Sequence, residues 1–503
     1  MTTKKNQRIS GILMPIFSLP NKYGIGSFGK ESYDFVDFLS ESGQKLWQIL
    51  PLVQTGYGNS PYSSVSSESF NPYYISVDGL KEKGLITATE AKFALCEEGL
   101  IDYGNLYAVR YPLLRKAFSR FDKNDLEFKK FLKSKQALDY ALFMSIKYAS
   151  GQKHFYEWDD GLRRREEKAL KLFKKEYADE ILFWQFVQFI AKNEWLKLKA
   201  YANFKGVSIM GDMPIYVALD SVDVWKNPEL FKLDSDFKPK KVAGVPPDYF
   251  SKTGQLWGNP VYDYEVHQKD GYAWWIKRIE KALSVYDYVR IDHFRAFDRY
   301  YEINSDAEDA IVGEWIKVPS EELFDALHKK IDKSRIIAED LGIIDDGVRE
   351  LLSKVGYPGM KILSFAFNGE ENNLYLPQNV GENSICYTGT HDNDTLMGLI
   401  TNATEWDKNN LINGVESSLK KVGLSGSTAT EQTLATSIIK LGFSCKSKIF
   451  ILPMHDILYK NTNYRINEPG TVKNQNWAVR YSKKDFKKST ATKLKKLCEK
   501  YDR

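Results

Sequence analysis

No stretch of the sequence reaches the ~18 apolar residues that a membrane-spanning helix requires, which removes helical integral membrane proteins from consideration. Cysteine is scarce: Cys96, Cys386, Cys445 and Cys498 are the four in 503 residues, too scattered for a disulfide framework or a zinc cluster. Free thiols in a reducing compartment follow. Histidine is nearly as rare, six in all with no H-x-H or H-x-x-x-H spacing, which argues against a metal hydrolase. His293, His391, Asp292 and Asp392 are the available ligands, but neighbouring His-Asp pairs rarely aim both side chains at one ion. A G-x-S-x-G elbow is also missing, so serine acyl chemistry has no anchor. Charge of one sign is not in excess either, since +5 is small for this length. The C-terminal lysines (Lys483, Lys484, Lys487, Lys488, Lys493, Lys495, Lys496) read as a solvated helix face rather than a nucleic-acid surface. The N-terminal apolar run 11–17 is broken by Pro15 and lacks a small-residue cleavage site, so a cytoplasmic protein is expected.

What the sequence does have is strand-like and helical patterning in alternation. Eight β-prone runs occur, at 9–17, 45–53, 206–217, 286–294, 335–341, 359–367, 384–390 and 448–454. Most are continuously apolar rather than alternating, the mark of parallel strands covered on both faces. Helical patterns at 30–42, 272–283 and 320–331 intervene, which implies an α/β sheet. Eight such units predict a (β/α)8 TIM barrel, whose active site lies at the carboxyl ends of the strands. We expect one catalytic barrel over 1–503 with three insertions. Those are a mostly helical subdomain at about 54–205, a lid and loop region at 218–271 rich in Pro, Gly, Asp and Trp, and a helical subdomain at 396–441.

Three of the runs end abruptly in acids: Val-Arg-Ile-Asp292-His-Phe, Ile-Ala-Glu339-Asp-Leu-Gly and Tyr-Thr-Gly-Thr-His-Asp392-Asn-Asp. A desolvated carboxylate must be paired or functional, and three on neighbouring strand ends predict one shared site. Arg290 and Asp292 share a strand face, so Arg290 is expected to favour the ionised form of Asp292. Like-charge repulsion from Asp292 and Asp392 is expected to raise Glu339 and keep a proton there. Asp340 should point away by strand parity, and Asp394 reads as a helix cap. Gly24-Ile-Gly26-Ser-Phe-Gly29 fits the dinucleotide fingerprint. However, six residues part it from its strand and the next strand lacks the ribose-binding acid, so a structural turn is expected. Paired carboxylates with a third acid are what glycosidic bond chemistry needs. Tyr57, Tyr62, Tyr73, Tyr74, Tyr249, Phe250 and Trp257, on the loops above the barrel, suit the faces of pyranose rings.

Asp212 in Gly-Asp-Met-Pro-Ile-Tyr-Val, then Arg290-Ile-Asp292, Glu339 and His391-Asp392 resemble the four signature regions of the α-amylase clan. Within that clan the chain is most similar to the amylomaltases, the 4-α-glucanotransferases of glycoside hydrolase family 77. Pro20-Asn-Lys-Tyr-Gly-Ile-Gly, Gln54-Thr-Gly-Tyr-Gly-Asn-Ser-Pro-Tyr62, Ala243-Gly-Val-Pro-Pro-Asp-Tyr-Phe and Gly254-Gln-Leu-Trp-Gly-Asn-Pro260 resemble that group specifically. The likeness runs from about residue 8 to about residue 480. It implies Asp292 as nucleophile, Glu339 as acid/base and Asp392 as transition-state stabiliser. Arg290, His293 and His391 would bind sugar at the cleavage point, with Asp212 supporting them. Tyr57, Ser60, Tyr62, Gln255, Trp257 and Asn467 would line neighbouring subsites. The resemblance further implies no cofactor or metal, no C-terminal β-sandwich, and malto-oligosaccharides and glucose as partners of a monomer or weak homo-oligomer.

Tyr216-Val217 stands where many amylases have Asn-His, which fits transferases better than hydrolases. Asn368-Gly369-Glu370 and Gln378-Asn379-Val380 depart from the family pattern away from the cleavage point. The rival expectations are a same-clan α-glucan hydrolase and, in a different class, a non-catalytic glycan-binding protein, which should have lost one of the three acids.

Overall fold

The computed structural model describes residues 8–247 and 251–503. Tyr249, Phe250 and the Tyr57 side chain, all named above, lie outside the described residues. The strands, in chain order, are β1 (Ile9–Leu13), β2 (Leu46–Gln48), β3 (Ser208–Met213), β4 (Lys241–Val245), β5 (Gln255–Pro260) and β6 (Tyr288–Ile291). They continue with β7 (Arg299–Asn304), β8 (Glu314–Lys317), β9 (Ile336–Ala338), β10 (Gly359–Ile362), β11 (Ser384–Tyr387) and β12 (Ile449–Pro453).

Eight of them form one sheet in the order β10-β11-β12-β1-β2-β3-β6-β9, and each pairing is parallel. The Ala338 N–H donates to Pro358 O at 3.0 Å, joining the end of β9 to the start of β10 and nearly closing the ring. Each predicted run contains one of these strands, so the (β/α)8 barrel stands. The strands are shorter than the runs because the apolar residues beyond them, such as Ile16 and Phe17, stay buried in 3-10 turns.

The Gly24–Gly29 segment is a structural turn. Gly24 has φ +86, and a Cβ on Gly26 would sit 1.9 Å from Ile16 O, so the chain can fold back under β1 only with glycine there.

Helices fill the stretch between β2 and β3. Ser76, Thr87 and Asp102 start three of them by accepting the N–H three residues on, which satisfies amides a helix cannot pair itself. The longest, Ala178–Phe204, buries Phe183, Trp184, Phe186 and Val187 almost consecutively, so both its faces are covered. Between β11 and β12 lie the helices Leu396–Asn402, Glu405–Lys421 and Glu431–Ser444. The final helix, Lys488–Tyr501, buries Ala491, Leu494 and Cys498. All seven C-terminal lysines are exposed.

Residues 218–271 differ from the loops expected there. They supply β4 and β5 to a second, antiparallel sheet of order β5-β4-β7-β8. Its partners come from 299–304 and 314–317, so the pairing leaves no local pattern in a Gly- and Pro-rich segment. A Cβ on Gly244 would lie 2.4 Å from Gln255 O, so glycine is what lets β4 and β5 approach at that register. This sheet sets Gln255 and Trp257 on its edge strand, beside the barrel mouth.

Candidate active site

Register places the charged groups. Asp212 on β3 is directly opposite Arg290 on β6, so their side chains emerge on one face. Arg290 Nε donates to Asp212 Oδ1 at 3.0 Å and Nη2 to Asp212 Oδ2 at 2.5 Å. The same Nη2 lies 2.9 Å from Asp292 Oδ1, the contact that strand parity predicted. Tyr62 completes the cluster, its hydroxyl donating to Asp212 Oδ2. The Arg290 and Asp212 side chains are 3% and 0% exposed, so their ion pair is desolvated. Removing one partner leaves a buried charge, and Asp212→Ala is expected to cost about 3–5 kcal/mol of stability. Urea unfolding reads this; a loss below about 1 kcal/mol would mean that Asp292 alone suffices to neutralise Arg290.

Beyond the strands the backbone continues to pair. Asp292 N–H donates to Met213 O and Glu339 N–H to Ile291 O, each at 3.0 Å, which sets the two acids on adjacent strand ends. Glu339 folds back on the backbone: Oε2 accepts from His293 N–H at 2.7 Å and Oε1 from Leu341 N–H at 2.8 Å. His293 can offer that amide because it adopts φ 50, a strained conformation of the kind found at functional sites. Asp340 points outward as parity predicted, accepting from Met360 N–H. Asp394 is not the cap expected of it. Thr395 caps the helix Leu396–Asn402, and Asp394 accepts instead from Thr395 N–H and the Thr462 hydroxyl.

The protonation picture departs from expectation: for Glu339 the direction holds but the cause is burial, and for Asp292, expected to be held ionised by Arg290, the direction itself is reversed. Burial, before any charge, raises Glu339 to about 7, and Asp340 adds to the rise while Arg290 and the two amides oppose it. Burial also drives Asp292 well above the usual carboxylate range; Arg290 opposes the rise, and Asp212, Glu339 and Asp392 add to it. Two neighbouring carboxyls in a dry cleft cannot both ionise cheaply, so the pair retains a proton near neutral pH. Burial lowers His293 to about 3 and also lowers His391, so both rings are neutral. His293 Nε2 and His391 Nδ1 are buried without a hydrogen-bond partner among the described residues.

Ser60, Tyr62, Gln255, Trp257, Asp292, His391, Asp392 and Asn467 line one cavity of about 330 Å³. Arg290 and Asp212 stand behind Asp292. Trp257 sits edge-on to the His293 ring at 4.8 Å and donates to Gln255 Oε1 at 3.2 Å. Asn467 Nδ2 donates to Asp392 Oδ1 at 2.6 Å. Glu339 is the one acid of the three not on the cavity wall, because its oxygens are turned onto the two amides.

Two residues escaped the sequence reading. Arg465 donates to Asp392 O at 2.7 Å and Asn467 O at 2.8 Å, tying together the two loops that carry those side chains. Trp477, also on the cavity wall, packs on both Tyr62 and His391, at 5.7 and 5.8 Å between ring centroids. Its place beside Asn476 in an Asn-rich loop was a usable signal: a large aromatic there needs a partner surface.

Known proteins resemble this chain over most of its length. Residues 14–485 match the glycoside hydrolase family 77 model, described as 4-alpha-glucanotransferase. A 4-alpha-glucanotransferase of Streptococcus pneumoniae is 43% identical over 482 residues, covering 94% of this chain and 93% of its own. That of Clostridium butyricum is 40% identical over 497 residues, covering 97% and 100%. Among solved structures, the amylomaltase from Streptococcus agalactiae in complex with acarbose superposes with a TM-score of 0.93 at 40% identity, covering 99% of this chain and 100% of that one. The chain therefore belongs to glycoside hydrolase family 77, the 4-α-glucanotransferases.

Proposed function

We propose that Asp292, Glu339 and Asp392 carry out the family's 4-α-glucanotransferase reaction by a retaining double displacement on malto-oligosaccharides. Asp292 attacks the anomeric carbon while Glu339 protonates the departing glycosidic oxygen, leaving a glucan chain esterified to Asp292. Glu339, now ionised, takes the proton from the 4-hydroxyl of an incoming glucan, which displaces Asp292 and restores the α configuration. The observation that carries this reading is the position of Asp292: it faces the same cavity as Asp392 and is gripped by Arg290 at 2.9 Å. The reactive form has the retained proton on Glu339, which must leave its two amides to reach the substrate. Asp392, held by Asn467, and the neutral imidazoles of His293 and His391 offer hydrogen bonds to sugar hydroxyls at the cleavage point.

Transfer competes with bulk water. It wins where the acceptor is held with its hydroxyl aligned, an advantage that can reach effective molarities of roughly 10⁵ M or more. Maltotriose is therefore expected to give glucose together with a ladder of longer glucans, with little net gain in reducing ends. A steady rise in reducing ends with no product longer than the substrate would make the enzyme a hydrolase instead.

Trp257 covers the cleavage point from the edge strand β5, against His293. Excluding water from the covalent intermediate is what such a cover does. Trp257→Ala is expected to raise the ratio of hydrolysis to transfer several-fold, measured as free glucose and reducing ends per transferred unit. An unchanged ratio would assign the shielding elsewhere.

A further inference from the structure

A second cavity, of about 290 Å³, lies between the helical insertion and the helix Ala273–Val285, and none of the three acids lines it. Lys277 and Lys281, one turn apart on that helix, share its wall with Lys192 from the helix Ala178–Phe204. Among the described residues these three ammonium groups have no hydrogen bond or ion pair. Lys192 has only the Phe131 ring, at 5.6 Å.

The wall's carboxylates form no ion pair with them, and only Glu68 attracts Lys277 and Lys281 through space. Asp139 is engaged by Lys226 and Arg165, and Asp223 by the N–H and hydroxyl of Ser67 at 2.8 and 2.6 Å. Glu229 and Asp270 are exposed. Glu68 has no hydrogen bond to its carboxyl, and burial and Asp223 push it toward the neutral form against the pull of Lys277, Lys281 and Lys226. Burial, then Lys192 and Lys277, push Lys281 toward losing its charge, and Glu68 only opposes them; a negative guest would offset that cost.

Two further polar atoms lie behind that wall. Arg278 Nε and Ser69 Oγ are buried in the same wall without partners, although the other guanidinium nitrogens of Arg278 hold the carbonyls of Pro214, Ile215 and Tyr216. The space holds about ten water volumes, more than a bare phosphate fills, and the half-buried ring of Trp274 forms part of the wall.

We propose that this cavity binds a phosphate monoester, its dianion held by Lys192, Lys277 and Lys281 and the organic part against Trp274. Charge-assisted bonds to an ionised ligand are the strongest contacts such groups make, and one dianion relieves the mutual repulsion of three ammoniums. The site is separate from the glucan cleft, so the two should fill independently.

Calorimetric titration of the full chain with glucose 6-phosphate tests this, with inorganic phosphate and glucose as comparison ligands. Saturable binding of glucose 6-phosphate is expected, unchanged by saturating acarbose, and tighter than that of either comparison ligand. Lys277→Met and Lys281→Met should each weaken it by about tenfold or more. Both variants remove an unpaired charge, so their melting temperatures without ligand should match or exceed that of the parent. No saturable binding, displacement by acarbose, affinity in both variants equal to the parent's, or inorganic phosphate binding as tightly as the ester would each overturn the assignment.

Discussion

Asp292→Asn is expected to lower turnover of maltotriose by about four to six orders of magnitude while leaving acarbose affinity within a few-fold. The amide has the shape of the carboxylate and keeps an oxygen for the Arg290 contact, so the cavity wall survives. Arg290 also retains its desolvated pair with Asp212, at 2.5 and 3.0 Å, and the fold does not lose its counter-charge. What disappears is the nucleophile. Without an ionised oxygen at that point no glycosyl ester forms, and both half-reactions fail together. Titration calorimetry with acarbose separates binding from chemistry. A variant retaining more than about a hundredth of the parent rate would show that Asp292 assists rather than attacks.

Glu339→Gln should cost about 10²–10⁴-fold on maltotriose, the usual range for a lost general acid. On α-maltosyl fluoride, whose leaving group needs no protonation, the first step should lose far less. Equal losses on both substrates would sink the acid/base role. The pH profile carries a second signature. Burial holds Glu339 near 7, above its ordinary 4.5, so the protonated form is present below about 7 and is lost above it. Parent kcat/KM on maltotriose should fall as pH rises through about 7. That limb should vanish for Glu339→Gln acting on the fluoride. The same raised value means that the folded chain keeps a proton the unfolded chain has released. This group therefore lowers stability as pH climbs from about 4.5 to about 7.

Arg290 beside Asp292 was legible in the sequence because residues two apart on a strand share a face, and the eight strands were legible because buried parallel strands write themselves as continuous apolar runs. The acids stood out for the same local reason: a charge ending such a run is conspicuous. Ser60, Tyr62, Gln255, Trp257 and Asn467 could be placed together only through a family resemblance, since no periodicity links positions 60, 255 and 467.

Local pattern thus determined the barrel, its order of strands and helices, and the three acids at the strand ends, because each depends on residues a few positions apart. Tertiary structure alone decided what joins distant parts of the chain. Asp212 meets Arg290 across 78 residues, Glu339 meets the His293 amide across 46, and Asn467 meets Asp392 across 75. The antiparallel sheet that carries Trp257, the left-handed turn at His293, and the lysines around the second cavity arise in the same way. So do the proton affinities of Asp292 and Glu339, which burial governs before any neighbouring charge. Desolvation is a property of what surrounds a group, and the surroundings exist only once the chain has packed.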